Sequence, residues 1–247
     1  MKSILITGCN RGLGLGLVKH LVKLSRPPDN IFATCRTVNK AAELQTLAEK
    51  WDNVHILHLD VKDTKNYHQV VNAVSEKVGD NGLNVLVNNA GIAGKFTRLG
   101  LVKEEQLTES FLVNTVAPIL LTKAFLPLLK QAASNDGKKG MSIERAAVIN
   151  MTSILGSISE NVQGGYYPYR CTKAALNAAT KSMSVDFQAD GILVACLHPG
   201  WVKTDMGGKL APMEVDTCIE AILSTLQKLN ETHSGSFMQY NGTTLPW

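Results

Sequence analysis

Short runs of aliphatic and β-branched residues alternate with longer amphipathic stretches along almost the whole chain. Residues 3–7, 31–34, 54–59, 83–87, 146–151 and 192–197 are near-continuous apolar runs. That is the pattern of parallel strands covered on both faces, not the alternation of a strand with one wet face. Between them, residues 13–24, 39–50, 65–78, 104–133 and 169–188 read as helices, and a last helix near 215–229 with a short strand near 236–240 completes the series. The succession predicts an α/β fold with a mostly parallel central sheet of about seven strands, flanked by helices on both faces.

Such a doubly wound, Rossmann-like arrangement uses the full 247 residues as one domain. Its cofactor-binding half runs over about residues 1–100, and its catalytic and substrate half over about 101–247. The polar segment 134–144 is an exposed connection inside it. At 45% hydrophobic and 19% charged residues the composition is that of a soluble globular protein. The longest apolar stretches, such as 116–121, are cut by Pro118 and Lys123, so no membrane span is expected. The first strand begins at Ser3, which leaves no room for a signal peptide. Cys9, Cys35, Cys171, Cys196 and Cys218 form neither a Cys-x-x-Cys motif nor a paired framework, so a cytoplasmic protein with reduced thiols is expected. The net charge of +4 is spread along the chain, which argues against a nucleic-acid groove. His55 and His58 fall on opposite faces of their strand, and no metal site is expected.

The candidate chemistry begins in the turn after the first strand, where Thr7, Gly8, Asn10, Arg11, Gly12, Leu13 and Gly14 lead into a helix. Missing Cβ atoms there let the backbone approach a pyrophosphate at the helix N-terminus, although glycines also serve simply to tighten such a turn. At the end of the second strand an unphosphorylated ribose would call for an acidic side chain; the chain has Cys35 followed by Arg36. A guanidinium there suits a 2′-phosphate, which Arg11 can meet from the other side, so NADPH/NADP+ is favoured over NAD(H). Asp60 and Val61 follow the third strand, and Asn88-Asn89-Ala90-Gly91 the fourth. Asn89, Ala90 and Gly91 are small or amide-bearing residues that suit a nucleotide, and amides can equally tie neighbouring strands.

In the second half, Tyr169 and Lys173 stand one helical turn apart, and Ser153 follows the fifth strand. An unperturbed phenol near pKa about 10 exchanges protons poorly at neutrality; an adjacent ammonium lowers it, and a serine hydroxyl can polarise a carbonyl. Together with the Thr-Gly-x3-Gly-x-Gly turn, these residues resemble the short-chain dehydrogenase/reductase family over nearly the whole chain. The resemblance implies that Ser153, Tyr169 and Lys173 are catalytic, and that Asn114 matches the family's helical asparagine. By the same likeness Asp60 contacts the adenine, and Pro199, Gly200, Val202 and Thr204 surround the nicotinamide carboxamide. Residues 4–19, 197–208 and 240–247 are similar to the sniffer and C-factor-like carbonyl-reductase branch of the family. That similarity implies an NADPH-dependent reductase of small-molecule aldehydes, ketones or quinones, and relatives imply a homodimer. The sixteen-residue spacing from Ser153 to Tyr169 exceeds the family's commonest value and implies a reshaped loop between them. Two alternatives stay open on the residues: an NADP-dependent dehydrogenase of one specific alcohol, and a non-catalytic NADP(H)-binding regulator.

One more expectation concerns Pro118. A regular α-helix would bond its N–H to the Asn114 carbonyl, and proline has none. The helix is therefore expected to open at Asn114, either to hold a water towards Lys173, as the resemblance implies, or as a plain kink.

Overall fold

Each apolar run becomes a strand of one sheet in the computed structural model, which describes residues 1–94, 96–135, 137 and 140–247. Lys95, inside the expected loop 93–99, and Asp136, Lys138 and Lys139, inside the expected connection 134–144, lie outside the described residues. In chain order the elements are β1 (Ser3–Ile6), α1 (Gly12–Leu21), β2 (Asn30–Cys35), α2 (Ala42–Lys50), β3 (Val54–His58), α3 (Tyr67–Val78) and β4 (Val85–Asn88). Then come α4 (Glu104–Phe111), α5 (Ala117–Asn135), β5 (Ala147–Met151), α6 (Tyr167–Asp186), β6 (Leu193–His198), α7 (Val215–Leu226) and β7 (Phe237–Gln239). The strands lie in the order β3-β2-β1-β4-β5-β6-β7 and every pairing is parallel.

Register explains why the runs are apolar throughout. Ile4 sits beside Ile31 and Val85, and these point to the face covered by α1 and α7. Leu5 sits beside Phe32 and Leu86 and points to the opposite face, covered by α3 and α5. With a side-chain period of two, both faces are core, so the central strands are apolar at most positions. The order reverses between β1 and β4, which opens a crevice at the C-terminal ends of these strands.

The expected helix over 104–133 is one continuous rod with a fault in it. Residues Leu112–Val116 form a π turn between α4 and α5, and the Ala117 N–H bonds the Leu112 carbonyl, five residues back. Pro118 cannot supply the α-helical bond to Asn114, and the helix widens by one residue instead of breaking. This also corrects the expectation that no apolar run approaches a membrane span: Glu104–Asn135 is long enough, and an 18-residue stretch within it reaches a mean hydropathy of 1.7. The π turn carries the helix through Pro118, and α5 buries Leu121, Phe125, Leu128 and Leu129 against the sheet.

Candidate active site

The turn after β1 is bolted to the end of β4. Thr7 Oγ1 accepts from the backbone N–H of Asn89 (3.0 Å) and Ala90 (2.8 Å), and Asn89 Nδ2 donates to the Thr7 carbonyl (2.7 Å). Gly8 and Gly12 take φ of +73° and +59°, the left-handed region that glycine enters without strain. A Cβ on Gly14 would press into the Gly8 carbonyl oxygen and stand 2.8 Å from Asn89 Nδ2, so only glycine lets α1 start this close to the strand ends. Asn88, next in line, is buried and donates to Asn150 Oδ1 (2.8 Å) and Thr122 Oγ1 (3.1 Å). The strand-tying use of the amides thus falls to Asn88 and, in part, to Asn89.

A cavity of about 550 Å³ opens over this platform. Its wall brings together Gly8, Asn10, Arg11, Gly12, Leu13, Arg36, Asp60, Val61, Asn89, Ala90 and Gly91 from the first half with Tyr169, Lys173, Pro199 and Thr204 from the second. Thr7, Gly14, Asn114, Ser153, Gly200 and Val202 do not line it. Thr7 and Gly14 shape the turn from behind, Val202 is buried, and a Cβ on Gly200 would stand 3.1 Å from the Tyr240 ring.

The charges around this wall are unevenly satisfied. Arg11 Nη1 pairs with Asp205 Oδ2 at 2.6 Å, and Lys62 Nζ with Glu109 Oε1 at 3.3 Å; all four residues line the cavity. Arg36 and Lys40, also on the wall, have no ion-pair partner among the described residues. Sequence reasoning missed Lys40, Lys62, Glu109 and Asp205. Lys40 carried a signal, a second cation four residues after Arg36; the others are recognisable only once the loops converge.

At the other end, Lys173 is 5% exposed, its Nζ donates to the Met151 carbonyl (2.8 Å), and it lies 5.7 Å from the Tyr169 ring centre. A Cβ on Gly156 would stand 2.8 Å from Lys173 Cβ, so that glycine allows α6 to approach the turn after β5. Ser153 Oγ accepts from the Leu155 N–H (3.2 Å), and its side chain also hydrogen-bonds Tyr169. Burial pushes the Tyr169 phenol up to about 12, against a smaller lowering by the Ser153 bond. Burial pulls the Lys173 ammonium down to about 8. This reverses the sign expected from the pair alone: desolvation outweighs the attraction of ammonium for phenolate, and the phenol is held protonated.

Asn114 is fully buried beneath this end. Its Oδ1 accepts from the Ile92 N–H (2.9 Å), and its Nδ2 donates to the Ile92 carbonyl (2.8 Å) and Thr172 Oγ1 (3.2 Å). The side chain therefore clamps the segment after Gly91 to α6, while the π turn lies on its own backbone. In the loop between Ser153 and Tyr169, Gly164, Gly165 and Tyr166 are left-handed in succession, and Tyr166 is the one non-glycine residue with positive φ among those described. Its ring meets Phe96 edge-on at 5.0 Å.

A glycine turn at the sheet's switch point, with a tyrosine–lysine pair on the helix after β5, defines a class of protein, and direct comparison agrees. Residues 2–215 match the short chain dehydrogenase family, and the chain belongs to it. It is similar to the carbonyl reductase Sniffer of D. melanogaster, with 52% identity, all of both chains covered and a TM-score of 0.99. An NADPH-bound carbonyl reductase from chicken fatty liver is 42% identical, with a TM-score of 0.95 over 100% of this chain and 99% of that one. The C-signal protein of Myxococcus xanthus is 41% identical over 165 residues, which cover 67% of this chain and 93% of that one.

Proposed function

We propose that the protein is an NADPH-dependent carbonyl reductase, acting on aldehydes, ketones or quinones with Tyr169 as the proton donor. The observation that carries this is the union, in one cleft, of two cations unpaired among the described residues at one end with a protonated phenol and a buried ammonium at the other.

The residues present suit a phosphorylated dinucleotide. The turn at Gly8, Gly12 and Gly14 leaves room for a pyrophosphate at the N-terminus of α1, and Arg36 and Lys40 supply uncompensated positive charge for a 2′-phosphate. When bound, the cofactor supplies a hydride. The remaining steps belong to the chain. Ser153 accepts from Leu155, and its hydroxyl hydrogen, directed at Tyr169 in the free site, turns to the carbonyl oxygen when a substrate binds. Tyr169, protonated at neutral pH, delivers its proton to the alkoxide as it forms. Lys173 stabilises the resulting phenolate and returns the proton, through a water on the Asn114 carbonyl, to which Pro118 has no N–H to donate. Identity above half with a carbonyl reductase supports the reductive direction. The same reading has two copies pairing through α5 and α6, near exposed Val116 and Val185; a one-chain mass in sedimentation would reject that part.

The deciding experiment follows NADPH absorbance against a panel of carbonyls. Turnover of at least one aldehyde, ketone or quinone is expected with NADPH in clear preference to NADH. A chain that binds NADPH and reduces none of them is a binding protein, and the proposal falls.

A further inference from the structure

The Arg11–Asp205 pair joins the two lips of the cleft, one on the glycine turn and one on the loop after β6. Both side chains are open to solvent, at 68% and 73% exposure, so the pair itself is weak. The two partners are not equally free. Asp205 sits in a loop that is locked without Arg11: Thr204 Oγ1 accepts from the Gly207 N–H (3.1 Å), the Gly208 N–H bonds the Thr204 carbonyl (2.8 Å), and the Trp201 indole donates to the Gly207 carbonyl (2.7 Å). Arg11 makes no other side-chain bond among the described residues. If the pair opens, the loop still keeps Asp205 on this lip of the cleft.

A carboxylate kept on the wall of a cleft that receives phosphates opposes them twice. It repels the incoming anion, and it occupies the cation that anion needs. The geometry points to Asp205 as a specificity-determining residue that competes with the cofactor's 2′-phosphate for Arg11, weakening NADP(H) binding and hastening its release. This rests on the reading of Arg11 as a 2′-phosphate contact. The phosphate wins the competition, because charge-assisted bonds to a dianion exceed an exposed carboxylate pair. The carboxylate lowers the margin, and a reductase that turns over must let its oxidised cofactor go.

The test measures dissociation constants of NADPH and NADH by calorimetry for the wild type, Asp205→Asn, Asp205→Glu and Arg11→Ala. NADPH release is followed by stopped-flow tryptophan fluorescence, for which Trp201 is a neighbouring reporter. Asp205→Asn is expected to tighten NADPH by about two- to fivefold, the fold-change of an exposed pair, to change NADH less, and to slow NADPH release by a similar factor. Asp205→Glu keeps the wild-type values. An NADPH-to-NADH preference that stays constant or falls in Asp205→Asn overturns the competition. Arg11→Ala separates the two failures. If it lowers the preference while Asp205→Asn does not raise it, only the role of Asp205 is lost. If it leaves the preference unchanged, the Arg11 contact falls, and the competition with it.

Discussion

The two ends of the cleft handle charge in opposite ways. Around the turn after β1 and the ends of β2 and β3, charge is plentiful and solvated: Arg11, Lys62, Glu109 and Asp205 are paired, and Arg36 and Lys40 have no ion-pair partner among the described residues. At the start of α6 the cations Arg170 and Lys173 are both buried, and Lys173 stands beside a phenol that burial keeps protonated. An end that recognises an anion needs no desolvation, because the ligand brings the opposing charge with it. An end that moves a proton needs it, since burial sets which group holds the proton before the reaction begins.

The sharpest way to break this contrast is Tyr169→Phe. It removes the donor with little change in volume and should cut the reduction rate by about 10²–10⁴, the usual worth of general acid catalysis. Cofactor affinity, measured separately by fluorescence titration, should hardly move. Retention of more than about a tenth of wild-type turnover would show that another group delivers the proton.

At the solvated end, Arg36→Asp should act on binding alone. Losing one charge-assisted contact and adding a repulsive carboxylate should weaken NADPH by roughly 10- to 100-fold, while NADH holds or improves. An unchanged ratio of the two affinities refutes the assignment. Lys40→Ala in the same assay shows how much of the remaining preference that second cation carries.

The pH dependence separates the two ends again. With Lys173 near 8, the ammonium is present at neutrality and lost as pH rises through that value, so kcat/KM for reduction should fall above about pH 8. Lys173→Arg, which stays charged, should lose that alkaline limb, whatever its absolute rate. The stability sign runs the other way. The folded pKa lies below the ordinary 10.5, so between about 8 and 10.5 the unfolded chain binds more protons, and this group's contribution to stability rises with pH. Activity and this part of stability should therefore diverge over one window, which pH–rate profiles and denaturant titrations of wild type and Lys173→Met would test.

What could be read from the residues follows the same divide. The sheet was legible because strands buried on both faces are apolar along most of their length, as Ile4, Leu5 and Ile6 are. Tyr169, Lys173 and the glycine turn were legible because local spacing fixes their relation: one helical turn in the first case, one strand-to-helix corner in the second. Asp205 and Glu109 were not, since their partners lie 194 and 47 residues away and meet only through loop geometry. The direction of the Tyr169 shift was misread for a related reason. Spacing reveals a neighbouring charge but says nothing of how much water the fold removes.

Pro118 lies between the legible and the hidden, and its replacement should have the smallest effect. The missing N–H announced a fault in the helix, but not whether it would break, kink or widen, and the structure shows a π turn from Leu112 to Val116. Pro118→Ala restores the donor, so a regular bond to the Asn114 carbonyl can form and the extra residue of the turn can be expelled. Expulsion would have to drag the Asn114 side chain off Ile92 and Thr172, three hydrogen bonds that resist the change. The expected result is a compromise: a somewhat higher melting temperature, and turnover lowered by less than about tenfold, because only proton return and not proton delivery is disturbed. Amide exchange at residue 118 reports whether the new bond forms. Full activity with that amide protected would show that the opened carbonyl of Asn114 takes no part in the proton path.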